Sequence, residues 1–174
     1  MVVTIIGYRG CGKSRVGSLL AARLGLSFVD TDDVIEQRAG ITIREIFQEE
    51  GEAGFRSREF AVVSEYLAKD RMVISVGGGA VLNERLRELM RQAGPVVWLQ
   101  ASVDTITQRL TSDPATNDRR PALTSLDLRS EILLTLSKRQ PLYASTASFC
   151  VITDTLDAEG VVVEIVTQLN GSPG

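Results

Sequence analysis

The stretch Gly7-Tyr8-Arg9-Gly10-Cys11-Gly12-Lys13-Ser14 follows the apolar run Val2-Val3-Thr4-Ile5-Ile6 and opens a segment of helical patterning from Arg15 onward. It satisfies the phosphate-binding pattern G-x-x-x-x-G-K-[ST] in the strand, turn and helix setting which that pattern requires. The glycines allow the backbone to curl so that successive N–H groups point inward, and the helix beginning at Lys13 adds the positive end of its dipole. Such a turn is an anion cradle, with Lys13 within reach of β- and γ-phosphates and the Ser14 hydroxyl available to Mg²⁺. A glycine-rich turn between strand and helix also occurs without any nucleotide. Here the spacing, the Lys-Ser pair and both flanking elements favour the phosphate.

A phosphate-binding loop commits its surroundings to a parallel sheet, and the rest of the chain agrees. Short β-like runs are expected at 2–6, 27–30, 72–76, 96–99 and 149–153, alternating with helical runs at 13–24, 31–38, 42–68, 83–91, 103–110, 126–142 and 158–169. Gly25, Gly40, Gly51, Gly94 and Pro95 punctuate their ends. The expected fold is α/β, a three-layer α/β/α P-loop NTPase arrangement around a five-stranded parallel sheet. With 174 residues, no internal repeat and no linker, residues 1–174 read as a single domain able to bury about two-thirds of its unfolded surface. One polar stretch, 111–121, lacks hydrophobic periodicity, and a lid over about 111–125 is expected there.

Composition narrows the chemistry. There is no histidine, which removes Ser-His-Asp and Cys-His nucleophiles and His-ligated zinc. Catalysis is left to carboxylates, Lys, Arg and a metal ion, a set sufficient for phosphoryl transfer, where positioning and charge neutralisation dominate. A net charge of −3 gives no general attraction to nucleic acid or an acidic membrane surface, and no apolar run approaches the roughly 20 residues of a membrane span. Neither partner is expected. The opening residues lead straight into a strand without a signal-peptide pattern, so a cytoplasmic location is expected. Cys11 and Cys150 suggest neither a disulfide framework nor a metal site.

The loop needs a second Mg²⁺ partner. Neither Val76-Gly77-Gly78-Gly79 nor Leu99-Gln100 supplies the acidic pair that follows a strand in motor or transporter ATPases, and no Asn-Lys-x-Asp guanine motif is present. The carboxylates stand instead in Phe28-Val29-Asp30-Thr31-Asp32-Asp33 at the end of the second expected strand. Ligands in open α/β sheets lie off these strand ends. Asp30 could therefore hold Mg²⁺ and Asp32 accept a hydrogen bond from a substrate hydroxyl; Asp30 or Thr31 could instead merely cap the next helix, but the phosphate-binding loop favours the functional reading. Asp33 reads as a first-turn charge.

The loop, the Asp30-Thr31-Asp32 group, Gly51-Glu52-Ala53-Gly54-Phe55-Arg56, the triple glycine Gly77, Gly78 and Gly79, Arg120-Pro121 and Arg139-Gln140-Pro141-Leu142-Tyr143 resemble, in order and spacing over nearly the whole chain, the shikimate kinases. The resemblance implies ATP-dependent phosphorylation of the 3-hydroxyl of shikimate, in chorismate and aromatic amino acid biosynthesis, with Mg²⁺ as cofactor. It implies an ATP site at Gly10, Cys11, Gly12, Lys13, Ser14, Arg15, Arg109 and Arg120, and Mg²⁺ ligation by Ser14 and Asp30. It implies a shikimate site at Asp32, Phe55, Arg56, Gly77, Gly78, Gly79 and Arg139, with catalysis by Lys13, Asp32 and the lid residue Arg120. Arginine suits this substrate because its planar fork matches a carboxylate. A monomer with shikimate and ATP as its small-molecule partners is expected.

The sequence departs from the family pattern in places. Thr153-Asp154-Thr155-Leu156 has no arginine where some members place one against adenine, Cys11 replaces a more common small residue, and the lid stretch is rather acidic. Arg119 has no assigned role beyond solvated charge. Two rivals stand beside this reading: a kinase of the same architecture acting on gluconate or a nucleoside monophosphate, and a non-catalytic nucleotide-binding module.

Overall fold

The structure, a computed structural model, describes residues 1–112 and 127–171. In chain order its elements are β1 (Val2–Ile6), α1 (Lys13–Leu24), β2 (Ser27–Asp30), α2 (Thr31–Ala39), α3 (Ile43–Leu67), β3 (Met72–Ser75), a 3₁₀ turn (Ala80–Leu82), α4 (Glu84–Ala93), β4 (Val96–Gln100), α5 (Val103–Ser112), α6 (Leu128–Thr146), β5 (Phe149–Ile152) and α7 (Ala158–Gly171). The sheet has five strands in the order β2-β3-β1-β4-β5. Every pairing is parallel, with Val3 beside Val73, Ile5 beside Val97, Phe28 beside Val73 and Leu99 beside Val151. Helices cover both faces: α1 and α7 pack together on one, and α4 and α6 lie over β1 and β4.

The sequence explains these layers. Strands buried on both faces carry continuous apolar runs, and β1 and β3 are buried at every position. The outer strands β2 and β5 are only partly covered. Helix starts follow side-chain chemistry. Thr42 and Glu45 form a reciprocal capping box at α3, Asn83 accepts from the Leu86 amide at α4, and Asp127 from the Ser130 amide at α6, contacts typically worth about 1 kcal/mol each.

The topology places one crevice. From β1 the chain crosses to β2 at one edge, whereas from β3 it crosses over β1 to β4 on the other side. Ligands of open α/β sheets bind where the winding reverses. Here that is between the carboxyl ends of β1 and β3.

Three departures from expectation have a visible physical cause. The run at 42–68 is helical but broken at Gly51, whose φ of 70° and ψ of −175° interrupt the helix in a region that favours glycine. The turns on either side are held by the stacked rings of Phe47 and Phe55, 4.7 Å between centroids, and by an Arg58–Glu50 ion pair at 2.7 Å. Helix α6 continues beyond its expected end at 142 to Thr146, where burial of Tyr143 and Thr146 sustains the helix past the missing N–H of Pro141. Finally, α5 extends through Ser112, so the first residues of the expected lid are helical. Thr111 and Ser112 donate their hydroxyls to the Thr107 and Gln108 carbonyls at 2.8 Å, which satisfies these polar side chains within the helix. The rest of the expected lid, with Arg119, Arg120 and Pro121, lies outside the described residues.

No helix among the described residues is long and apolar enough to cross a membrane.

Candidate active site

The loop between β1 and α1 turns on Gly7, Gly10 and Gly12, all at positive φ, and Gly12 caps α1. The ammonium of Lys13 donates to the Gly7 and Tyr8 carbonyls, each at 3.0 Å, and so lies folded over the loop it follows. Tyr8 and Cys11 are buried beneath the loop, while Gly12, Ser14 and Arg15 face solvent.

Beside the loop, Asp30 serves two purposes. Its Oδ1 accepts the Asp32 amide at 3.0 Å and caps α2. Its Oδ2 receives hydrogen bonds from Ser14 Oγ at 2.5 Å and Ser75 Oγ at 3.1 Å. The capping and metal readings of Asp30 are thus compatible, since each uses a different oxygen. The cluster of Ser14, Asp30 and Ser75 is an all-oxygen donor set. It fits Mg²⁺, which binds through one or two carboxylates and keeps waters and substrate phosphates as its other ligands. Among the described residues no group of three or more His, Cys, Asp or Glu forms a metal cage.

A cleft of about 720 Å³ opens over these groups, walled by Arg9, Gly10, Gly12, Lys13, Ser14 and Arg15 on the loop side and by Asp30, Asp32, Ser75, Val76 and Gly78 across from it. Its far end reaches Thr105, Arg109 and Asp154. There Arg109 donates to Thr153 Oγ1 at 3.0 Å, to the Thr153 carbonyl at 2.7 Å and to the Gly10 carbonyl at 3.4 Å, joining α5, the end of β5 and the loop. Asp154, in the arginine-free segment after β5, accepts from the Ser102 amide at 3.0 Å and the Thr105 hydroxyl at 2.5 Å. Hydrogen bonds from Ser102 and Thr105 hold its carboxyl below the usual range.

Two arginines distant in sequence meet at the triple glycine. Arg139 of α6 donates to the Gly78 carbonyl at 3.2 Å, and Tyr143, one turn on, donates to the same oxygen at 2.6 Å. Burial pushes the Tyr143 phenol well above its ordinary range, Arg139 opposing the shift, so it stays a donor. Arg56 of α3 lies against Gly79, where an added Cβ would come within 2.4 Å of its guanidinium. A larger residue at 79 would therefore displace that guanidinium. Arg56 is itself held by Glu59 at 2.6 Å, a carboxylate 1% exposed, and by Glu52 at 3.4 Å. Phe55 is buried against Phe47, with Arg56 over its ring at 5.2 Å. Among the described residues, the cleft wall includes Gly78 but not Phe55, Arg56, Gly77, Gly79 or Arg139.

Several neighbours of the site were not anticipated from the sequence. Ser75, Glu59 and Tyr143 hold the functional groups just described. Glu131 of α6 is bound to Arg9 at 2.5 Å, with only 3% of its side chain exposed. A signal existed for Glu131: on α6 it shares the buried face of Ile132, Thr135 and Leu136, and a carboxylate on such a face needs a cation.

Comparison with known proteins identifies relatives of the whole chain. The family model for shikimate kinase matches residues 9–170. The chain is 41% identical over 170 residues to the shikimate kinase of Rhodopirellula baltica, covering 98% of this chain and 91% of the relative. To that of Symbiobacterium thermophilum it is 42% identical over 169 residues, covering 97% and 96%. Among solved structures, the shikimate kinase of Acinetobacter baumannii in complex with shikimate superposes with a TM-score of 0.91 at 34% identity, covering 97% of this chain and 92% of that one. The enzyme of Bacteroides thetaiotaomicron gives 0.88 at 32% identity, covering 98% of each chain. With a family model spanning most of its length and relatives this similar from end to end, the chain belongs to the shikimate kinase family.

Proposed function

We propose that this chain transfers the γ-phosphoryl group of ATP to the 3-hydroxyl of shikimate, forming shikimate 3-phosphate on the route to chorismate and the aromatic amino acids. One observation supports the reading above the rest. A single crevice brings together an anion cradle, the carboxylate of Asp32 and Gly78, and the turn of Gly78 is met from outside the cleft wall by arginines from α3 and α6. A triphosphate needs the first and a carboxylated polyol the others.

In this reading the loop amides and Lys13 bind the β- and γ-phosphates, Lys13 exchanging the Gly7 and Tyr8 carbonyls for phosphate oxygens. Ser14 and Asp30 would hold Mg²⁺, which when bound neutralises charge on the phosphates. Arg56 and Arg139 take the shikimate carboxylate, residues 77–79 approach the ring through their backbone, and Phe55 supports Arg56 from beneath. Asp32 orients the attacking hydroxyl and accepts its proton as the O–P bond forms. Arg109 flanks the adenine. Arg120 is assigned from the sequence to the phosphates, acting from a lid over 111–125 that excludes water during transfer. We take residues 1–174 as one kinase domain, monomeric and cytoplasmic, without nucleic-acid or membrane partners.

The test is a coupled ADP-release assay in which purified protein and MgATP are offered shikimate, gluconate or nucleoside monophosphates in parallel. Release dependent on shikimate alone is expected. Release driven by another acceptor, or none despite ATP binding, would overturn the proposal.

A further inference from the structure

We infer that Glu131 is a positioning residue for the reaction: by holding the Arg9 guanidinium, it sets the conformation of the phosphate-binding loop and couples that loop to the helix carrying Arg139. The inference rests on the reading of the cleft as the ATP site.

Arg9 occupies a variable position of the loop motif, yet its side chain is only 12% exposed and lines the cleft, and its Nη2 donates to Glu131 at 2.5 Å. A buried carboxylate is stable only when paired and hydrogen-bonded, so removing one member of such a pair leaves an uncompensated charge. Without Glu131 the Arg9 guanidinium is no longer held at one place in the cleft wall, and its segment of the loop loses the anchor that keeps it in the cradle geometry. The loop amides bind phosphate only when they point inward together, so a displaced segment weakens nucleotide binding.

The attachment also has a partner farther along α6. Arg139 lies about 12 Å along the helix from Glu131, at a rise of 1.5 Å per residue, and it binds the Gly78 carbonyl together with Tyr143. Gly78 in turn packs against the loop: a Cβ placed on it would lie 3.1 Å from the Gly7 carbonyl oxygen and 3.5 Å from the Arg9 nitrogen. Helix α6 therefore grips the phosphate side through Glu131 and the glycine turn through Arg139 and Tyr143. The phosphate loop and the glycine turn are thus anchored to α6 by separate contacts, and loss of Glu131 loosens only the first.

The experiment compares wild type, Glu131→Gln, Arg9→Gln and the double variant in steady-state kinetics with each substrate varied, alongside thermal melts. Glu131→Gln is expected to raise the KM for ATP by about fivefold or more while the KM for shikimate stays within about twofold. The double variant should resemble the worse single variant, because both changes break one interaction. If Glu131→Gln does not fold, Glu131→Asp, a carboxylate shortened by one methylene, is expected to show the same split at about twofold or more. An ATP KM that stays at the wild-type value in folded variants, an equal rise in both KM values, or effects that multiply would overturn the inference. A wild-type enzyme without shikimate-dependent ADP release would instead sink the functional reading beneath it.

Discussion

The side chains at the crevice are held before any ligand arrives, each by a different device. Lys13 rests on two carbonyls of its own loop, Asp30 divides its oxygens between a helix cap and two hydroxyls, and Arg56 is fixed by the buried Glu59. For Asp30 and Arg56 such holding lowers the reorganisation required in the transition state, whereas the Lys13 ammonium is held in a resting pose over its own loop. Asp32 has the most specific assignment, and it separates binding from chemistry. Asp32→Asn keeps the shape but cannot accept a proton, so kcat should fall by about 10²–10⁴ while ATP affinity, read by equilibrium titration, stays near wild type. A defect confined to ATP binding would remove Asp32 from the shikimate side.

At the scale of elements, α2 and α3 form a helical pair beside the crevice. Arg38 at the end of α2 forms a fork with Glu65 on α3 at 2.7 and 3.0 Å, and Lys69 joins at 3.1 Å. Hydrogen bonds from Arg38, then Lys69, depress the Glu65 carboxyl from the usual 4.5 to about 2. A group whose folded pKa lies below its unfolded one stabilises the fold above the unfolded value and loses that contribution as pH falls through the folded one. The contribution of Glu65 is therefore complete above about pH 4.5 and disappears towards pH 2. The pair is exposed, so the effect is small and screened by salt. Melting curves at low salt should show Glu65→Gln slightly below wild type at pH 6, with the gap closing towards pH 2.5. A gap that persists in acid would mean the side chain acts through packing rather than charge.

For the whole molecule, a doubly wound sheet brings two binding elements to a single opening, so each ligand should stabilise the protein independently. A ligand at about 100 times its Kd adds about 2.7 kcal/mol, which for a chain of this size is a rise in Tm of roughly 5–10 °C. Scanning calorimetry with shikimate alone should show that rise in wild type. Arg139→Ala should lose it while keeping the rise produced by ATP. Loss of both rises would show that Arg139 supports the fold rather than the shikimate site.

The architecture and the phosphate cradle were legible in the sequence because both are written locally. Apolar runs of strand length and a contiguous glycine-rich loop carry their geometry in neighbouring residues, and the observed strands follow the expected ones within a residue or so. What the linear order could not express was pairing at a distance. Arg9 and Glu131 are 122 positions apart, Tyr143 and Gly78 are 65, and Ser75 and Asp30 are 45. The end of α6 was likewise decided by tertiary packing: it continues beyond the expected residue 142 to Thr146 because burial of Tyr143 and Thr146 outweighs backbone preferences there. The local sequence determined where a phosphate can be held. Only the folded sheet, by closing long loops at its winding reversal, determined which carboxylates and arginines meet it, because a buried charge selects its partner by proximity in space and not by spacing along the chain.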